Sequence, residues 1–212
     1  MVKMDKDILN YLLEDVGKQR FYHTLRVVEE SKKLSKKHNI DMNKAVIAAL
    51  LHDCAKFGDK KKLLNMADHF DIISSDIMRY NQHLIHAPLG AKLAKYKYNI
   101  QNEDILNAIK YHTTGRKNMS QLEKLIYIAD YIEPSRKFDG VEKVRELAYK
   151  NLDRSVLLAM DQTIVFLINN NRIISLDTSK ARNQLIINLN FKEELNESSR
   201  KKAIYNYRCN RW

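Results

Sequence analysis

The sequence predicts an all-α protein, a helical bundle closed around a central metal site. Three observations point there. Glycine and proline number only 5 and 2 in 212 residues, too few for a sheet protein with many turns. Apolar residues recur at steps of three and four. Side chains that cap helix starts stand just before several of these periodic runs.

Asp7 to Val16 reads as a short amphipathic helix with Ile8, Leu9, Leu12 and Leu13 inward. Gln19 to His38 is a long one, with Arg20, His23, Val27, Glu30 and Leu34 along one stripe. Asp41 caps a helix whose run Ala45 to Leu51 has no charge and no turn residue. That run ends on His52 and Asp53. Residues 60–80 read as shorter helices and loops. Pro88 suits the first turn of a helix reaching about Tyr98, with His86 just before its start. Asn102 caps a helix through Ile105, Ile109 and His112, which Gly115 closes. Ser120-Gln-Leu-Glu123 is a capping box opening Leu122 to Ile132, and Pro134 ends that segment. Glu123, Ile126, Tyr127 and Asp130 share one of its faces. Val141 to Tyr149 and Asp153 to Ile168 are two more helices. No repeat or linker interrupts residues 1–190, so they form one domain. From about Asn190 the chain turns polar and basic, and residues 191–212 are expected to be a mobile tail.

The chemistry starts at His52-Asp53. Burying an imidazole and a carboxylate without partners costs several kcal/mol, roughly 2 to 7 for a polar group alone. A divalent metal is the simplest compensation. His23, His86, His112 and Asp130 bring the same donor types from other segments. A lone histidine on an apolar face is ordinarily a core residue bonded to a carbonyl, and a single His-Asp pair is a weak sign. The joint pattern on independently assigned helices carries the reading. His38 follows Lys36-Lys37 in a polar helix end, and His69 and His83 lie in short, polar, irregular stretches. All three read as surface or local structural residues. Cys54 follows the doublet, but three consecutive ligands do not share a helix face, so it reads as a small buried filler.

Imidazole and carboxylate without thiolate suit iron, manganese, cobalt or zinc, and argue against a structural zinc site. A divalent ion there lowers the pKa of bound water and neutralises phosphoryl oxygens. Cations follow or precede these donors closely. Arg20 stands three before His23, Lys56 three after Asp53, Arg116 four after His112 and Arg136 six after Asp130. Together they describe a metal centre ringed by anion binders.

The net charge is +11. The charges are dispersed over Lys32 to Lys37, Lys60 to Lys62 and Arg200 to Lys202. Nucleic acid is the default partner for such a balance, and a polyanionic small molecule is drawn to it as well, so charge does not choose between the two. Most of these runs read as solvated faces, and on the whole reading nucleic acid is not the expected partner. No run of eighteen apolar residues spans a membrane. The first residues lack an apolar signal core, and two distant cysteines, Cys54 and Cys209, fit a reducing cytoplasm.

At these residues the chain resembles the HD-domain superfamily of metal-dependent phosphohydrolases, through His23, His52-Asp53 and Asp130. More narrowly, it resembles the bacterial symmetrical bis(5′-nucleosyl)-tetraphosphatases. The phrases are Arg20-Phe-Tyr-His23-Thr, Leu51-His-Asp-Cys-Ala-Lys56, His86-Ala-Pro-Leu-Gly90, Tyr111-His-Thr-Thr-Gly-Arg116, Ala129-Asp-Tyr-Ile-Glu-Pro-Ser-Arg136 and Thr178-Ser-Lys-Ala-Arg-Asn183. Leu176 stands where a proline is usual, and the tail has no counterpart. The resemblance implies cleavage of diadenosine tetraphosphate to two ADP, with one or two iron ions. His23, His52, Asp53 and Asp130 would hold iron. His86 and His112 would face the phosphates or complete a second metal site; with Asp53 they would be the catalytic groups. His23 and Asp130 would also border the substrate. Arg20, Lys56 and Arg136 would bind phosphate oxygens, and Thr178, Arg182 and Asn183 would line the nucleoside end. Arg116 joins the substrate-binding set from spacing alone. A homodimer is left open.

Rival readings differ at named places. A guanosine alarmone hydrolase would carry acidic residues where Ala55 and Lys56 stand. A cyclic-dinucleotide phosphodiesterase would carry a Gly-Tyr-Pro phrase, which is absent. A deoxynucleoside triphosphohydrolase is usually longer. A non-catalytic nucleotide or RNA module with a metal site would use the tail, where Tyr205, Tyr207 and Trp212 interleave with basic residues.

Overall fold

The computed structural model describes residues 6–72 and 81–190. Residues 1–5, 73–80 and 191–212, including the expected mobile tail, lie outside the described residues. The helices are α1 (Lys6–Val16), α2 (Lys18–His38), α3 (Met42–Leu51), α4 (Lys60–His69), α5 (His86–Tyr96), α6 (Glu103–Tyr111), α7 (Gln121–Ile132), α8 (Val141–Ala148) and α9 (Leu152–Asn169). A short 3-10 turn covers Gln82–Leu84, and residues 176–190 form α10. Among the described residues there is no strand, and no helix is long and apolar enough to cross a membrane.

The caps act as the sequence predicts. Asp41 accepts from the Asn43 and Lys44 amides, Asn102 from Asp104 and Ile105, and Ser120 from Glu123. The capping box is only half formed, however. The Glu123 carboxylate turns away from the helix start and takes both its bonds from Arg116, at 2.6 and 2.9 Å. Neither proline interrupts a helix interior. Pro88 lies in the first turn of α5, where a missing amide proton costs no helical bond. Before Pro134, Glu133 leaves helical geometry at ψ 150, and α7 stops there.

α7 is apolar on nearly every side, and Leu122, Leu125, Ile126, Ile128, Ala129 and Ile132 are all buried. It is the central column. α2 and α3 pack on one another and on α7, α5 packs on α6, α6 on α7, and α8 and α9 close the far side. α1 lies outermost against α2. It buries Leu12 but leaves Leu13 40% exposed, so the expected inward Leu13 faces out. An outermost helix has only a narrow stripe to bury, and α1 is further tied by Asp15 to Lys62 on α4 at 3.0 Å and to Lys97 past α5 at 2.5 Å.

Three helix placements depart from expectation. His86 is the first residue of α5 and not the residue before it. His69 is the last residue of α4 and not part of an irregular stretch. α10 is a helix beyond those the sequence reading assigns. Its signal is Ala181, Leu185 and Leu189 at steps of four, all buried against the bundle.

Candidate metal centre

Six donors meet where α2, α3, α5, α6 and α7 converge. His52 Nε2 and Asp53 Oδ2 are 3.5 Å apart. His23 Nε2 lies 3.1 Å from Asp130 Oδ1, and 3.8 Å from Asp53 Oδ2. His86 Nε2 and His112 Nε2 each lie 3.4 Å from Asp53 Oδ1. Asp53 is thus the hub, and it is 1% exposed.

Backbone carbonyls fix how the rings are protonated. His52 Nδ1 donates to Ala49 O at 2.6 Å, His86 Nδ1 to His83 O at 2.6 Å, and His112 Nδ1 to Ile109 O at 2.7 Å. A carbonyl only accepts, so each Nδ1 carries a proton and each ring presents Nε2 to the centre. Burial, chiefly, pulls His52 down to about 4 against the charges of Asp53 and Asp130. Burial and the Lys56 charge hold His86 well below the usual histidine range.

The carboxylates are held charged. Burial works to raise Asp53, but His52, His112, Lys56 and His86 outweigh it and keep it well below the usual range. Burial likewise works to raise Asp130, and His23, His52 and Arg136 overcome it. Arg20 donates to Asp53 Oδ2 at 3.0 Å, Lys56 to the same oxygen at 3.1 Å, and Arg136 to Asp130 Oδ1 at 2.7 Å. All three cations are partly exposed and form the rim.

Whether a metal fits is answered by three atoms. His23 Nε2 and His52 Nε2 are buried with no hydrogen-bond partner among the described residues, and Asp53 Oδ1, also buried, has only the Lys56 ammonium 3.0 Å away. Such orphans are costly in a native interior. They belong to ligand-spaced groups, His23-His52-Asp130 and His52-Asp53-His112. The donor set therefore fits a divalent cation. Cys54 is buried, bonds Gly90 O at 3.5 Å, and has its thiol pushed up chiefly by burial, so it is a filler and not a thiolate ligand.

The HD-domain family matches residues 20–135, the segment holding all six donors. The chain belongs to that family, in its symmetrical bis(5′-nucleosyl)-tetraphosphatase branch. A symmetrical bis(5′-nucleosyl)-tetraphosphatase of Halalkalibacterium halodurans is 44% identical, over 79% of this chain and 89% of that one. The Bacillus subtilis protein of the same name is 38% identical, over 85% and 97%. A crystal structure from Clostridium acetobutylicum, described as a predicted HD superfamily hydrolase involved in NAD metabolism, superposes with a TM-score of 0.83 at 42% identity, over 86% and 97%.

Other expected site residues sit further out. Arg116 is engaged by buried Glu123 and lies over the Tyr111 ring, 4.6 Å from its centroid. Arg182 pairs with Asp161 at 2.5 Å. Asn183 is exposed. Of the expected nucleoside-end residues, Thr178 lines a cavity of about 670 Å³ that also reaches Thr113, Thr163 and Arg172. His38, at the end of α2, bonds Ala148 O on α8 at 2.6 Å, a long-range tie and not a local one, while His83 offers its carbonyl to His86.

Sequence reasoning missed two residues. Glu133 is 1% exposed and accepts from His23 Nδ1 at 3.2 Å and from Arg26 at 2.8 Å. Burial works to raise it, but Ser135, Arg26 and His23 bring it down to about 2. It fixes the His23 ring as carbonyls fix the others. Its signal was a carboxylate one turn after Asp130. Thr113 places its hydroxyl 3.2 Å from His86 Nε2 and 3.1 Å from His112 Nε2. Its only signal was adjacency to His112.

Proposed function

We propose that this chain hydrolyses diadenosine tetraphosphate to two ADP, with iron at the six-donor cluster. The observation that carries the reading is the set of buried, partnerless ligand atoms ringed by half-exposed cations, in a chain whose relatives bear that enzyme's name. His23, His52, Asp53 and Asp130 would hold the first ion. His86 and His112 support a second. Their Nε2 atoms face each other at 3.1 Å, and with both Nδ1 protons committed to carbonyls the two lone pairs need a positive charge between them.

A bound divalent ion supplies an acidified water and neutralises phosphoryl oxygens. The chain's own residues do the rest. Arg20, Lys56 and Arg136 already bridge to the cluster's carboxylates, so the exposed part of each is free to meet phosphate oxygens. Buried carbonyls and Glu133 keep every ring in one tautomer, so no donor must reorganise when substrate arrives. Thr178 and the cavity beside it take a nucleoside two phosphates from the cut. The bond broken joins the bridging oxygen to one of the two central phosphorus atoms. One ADP departs with the bridging oxygen and the other gains its oxygen from water. A mononucleoside triphosphate spans fewer of these groups and should react poorly. The reaction is assigned to the cytoplasm and to a domain spanning residues 1–190.

Hydrolysis in heavy-oxygen water, with products weighed, tests this. Two ADP, one of them labelled, is the expected result. ATP plus AMP would place the cut at the wrong bond. No turnover with iron, manganese, cobalt or zinc would favour a nucleotide sensor.

A further inference from the structure

Arg136 and Phe138 stand on the loop 133–140, which joins α7 to α8. That irregular backbone is tied down at several points. The Arg145 guanidinium donates to the carbonyls of Ile132 at 2.8 Å, Glu133 at 3.0 Å and Arg136 at 2.8 Å. The Ser135 amide donates to Glu133 Oε2 at 2.8 Å. Gln162 donates to Gly140 O at 3.3 Å and accepts from the Tyr131 hydroxyl at 2.8 Å. On this frame the Phe138 ring meets Tyr131 edge-on, with centroids 5.1 Å apart and planes at 82°.

Phe138 nevertheless remains 41% exposed. A single exposed phenyl is ordinary on a surface. This one lines the same cavity as His112, Asp130 and Arg136. That cavity and the larger one toward Thr178 share Thr113 and Thr163. Space therefore divides beside the histidine pair. One arm runs past Asp130 and Arg136 to Tyr131 and Phe138, and the other runs to Arg172 and Thr178.

A substrate cut in the middle of four phosphates carries one nucleoside on each side of the cut. It needs two base-sized surfaces diverging from the cluster. We infer that Phe138, with Tyr131 at its edge, is the stacking wall for the second nucleoside. The inference rests on the dinucleotide reaction proposed above. A ring held by a rigid loop loses little freedom when a base stacks on it, and any purine presents a face to it. Arg136 at the foot of the wall meets the adjoining phosphate.

The test compares two ligands that differ by one nucleoside, diadenosine tetraphosphate and adenosine 5′-tetraphosphate. The wild-type chain and Phe138→Ala, Phe138→Leu and Phe138→Trp are compared by kcat/KM on the first ligand. Competitive inhibition of that reaction by the second gives its affinity. Phe138→Ala should lose roughly tenfold or more on the dinucleotide, mostly in KM, with inhibition by the mononucleotide unchanged. Phe138→Trp should restore the loss, and Phe138→Leu, apolar but without a π face, should not. Equal losses on both ligands would overturn the wall while leaving the reaction standing, since Phe138 would then serve a shared part of the ligands. Full activity in Phe138→Ala would overturn it as well. A wild-type chain that cuts no dinucleotide removes the reaction, and the second nucleoside with it.

Discussion

The two walls of the metal cavity are built from the same residue types and are left in different states. On the α2, α3 and α7 side, His23 Nε2 and His52 Nε2 have no hydrogen-bond partner among the described residues, and both face Asp53 Oδ2. On the α5 and α6 side, His86 and His112 point at one another at 3.1 Å with the Thr113 hydroxyl beside both. The first wall has donors with nothing to hold. The second has two facing ring nitrogens, one of which can take the single proton of the Thr113 hydroxyl. An ion on the first wall relieves two costly orphans, whereas one on the second must displace an existing arrangement. The first site should therefore be the tighter.

Removing the hub breaks this comparison most severely. Asp53 faces both walls, so Asp53→Ala should lose both ions and lower turnover by more than about a thousandfold. Metal content of the purified variant, measured beside activity, checks this, and a metal-replete active variant would refute the ligand set. His86→Ala or His112→Ala should act on one wall only. Metal content should fall from two towards one per chain, with turnover down roughly a hundredfold or more. Unchanged metal with lost turnover would instead give these rings a role at the phosphates. The smallest effect is expected from Glu133→Gln, which touches only the first wall. It leaves an acceptor for His23 but removes the charge, and should weaken that wall's metal affinity by about 10- to 100-fold. Competition with a chelator measures it, and unaltered affinity would make Glu133 a purely structural acid.

Helix placement was legible because local chemistry decides it. Asp41, Asn102 and Ser120 cap as their side chains dictate. The cluster was legible too, since apolar runs carry His52 and His112 to buried helix ends. What spacing along the chain does not report is direction after a turn. Arg116 follows Gly115, whose backbone is left-handed at φ 66 and packed so that an added Cβ would lie 2.5 Å from Met160 Cε. That turn sends the guanidinium to Glu123, and a carboxylate buried on α7 needs such a partner. Glu133 was missed for the reverse reason. Its value lies in a bond to a ring 110 positions earlier in the chain.

Three of the four ring orientations at the cluster are local property. His52, His86 and His112 each donate to the carbonyl three residues before them. The bond that satisfies a turn's spare carbonyl also chooses which nitrogen is bare. Each such stretch, from carbonyl to imidazole, is a four-residue cassette that carries its own tautomer wherever a helix or turn of that shape ends. His23 alone borrows its proton placement from a distant segment. A designer transplanting this centre into another bundle could move the three cassettes intact and would need to rebuild only one long-range contact.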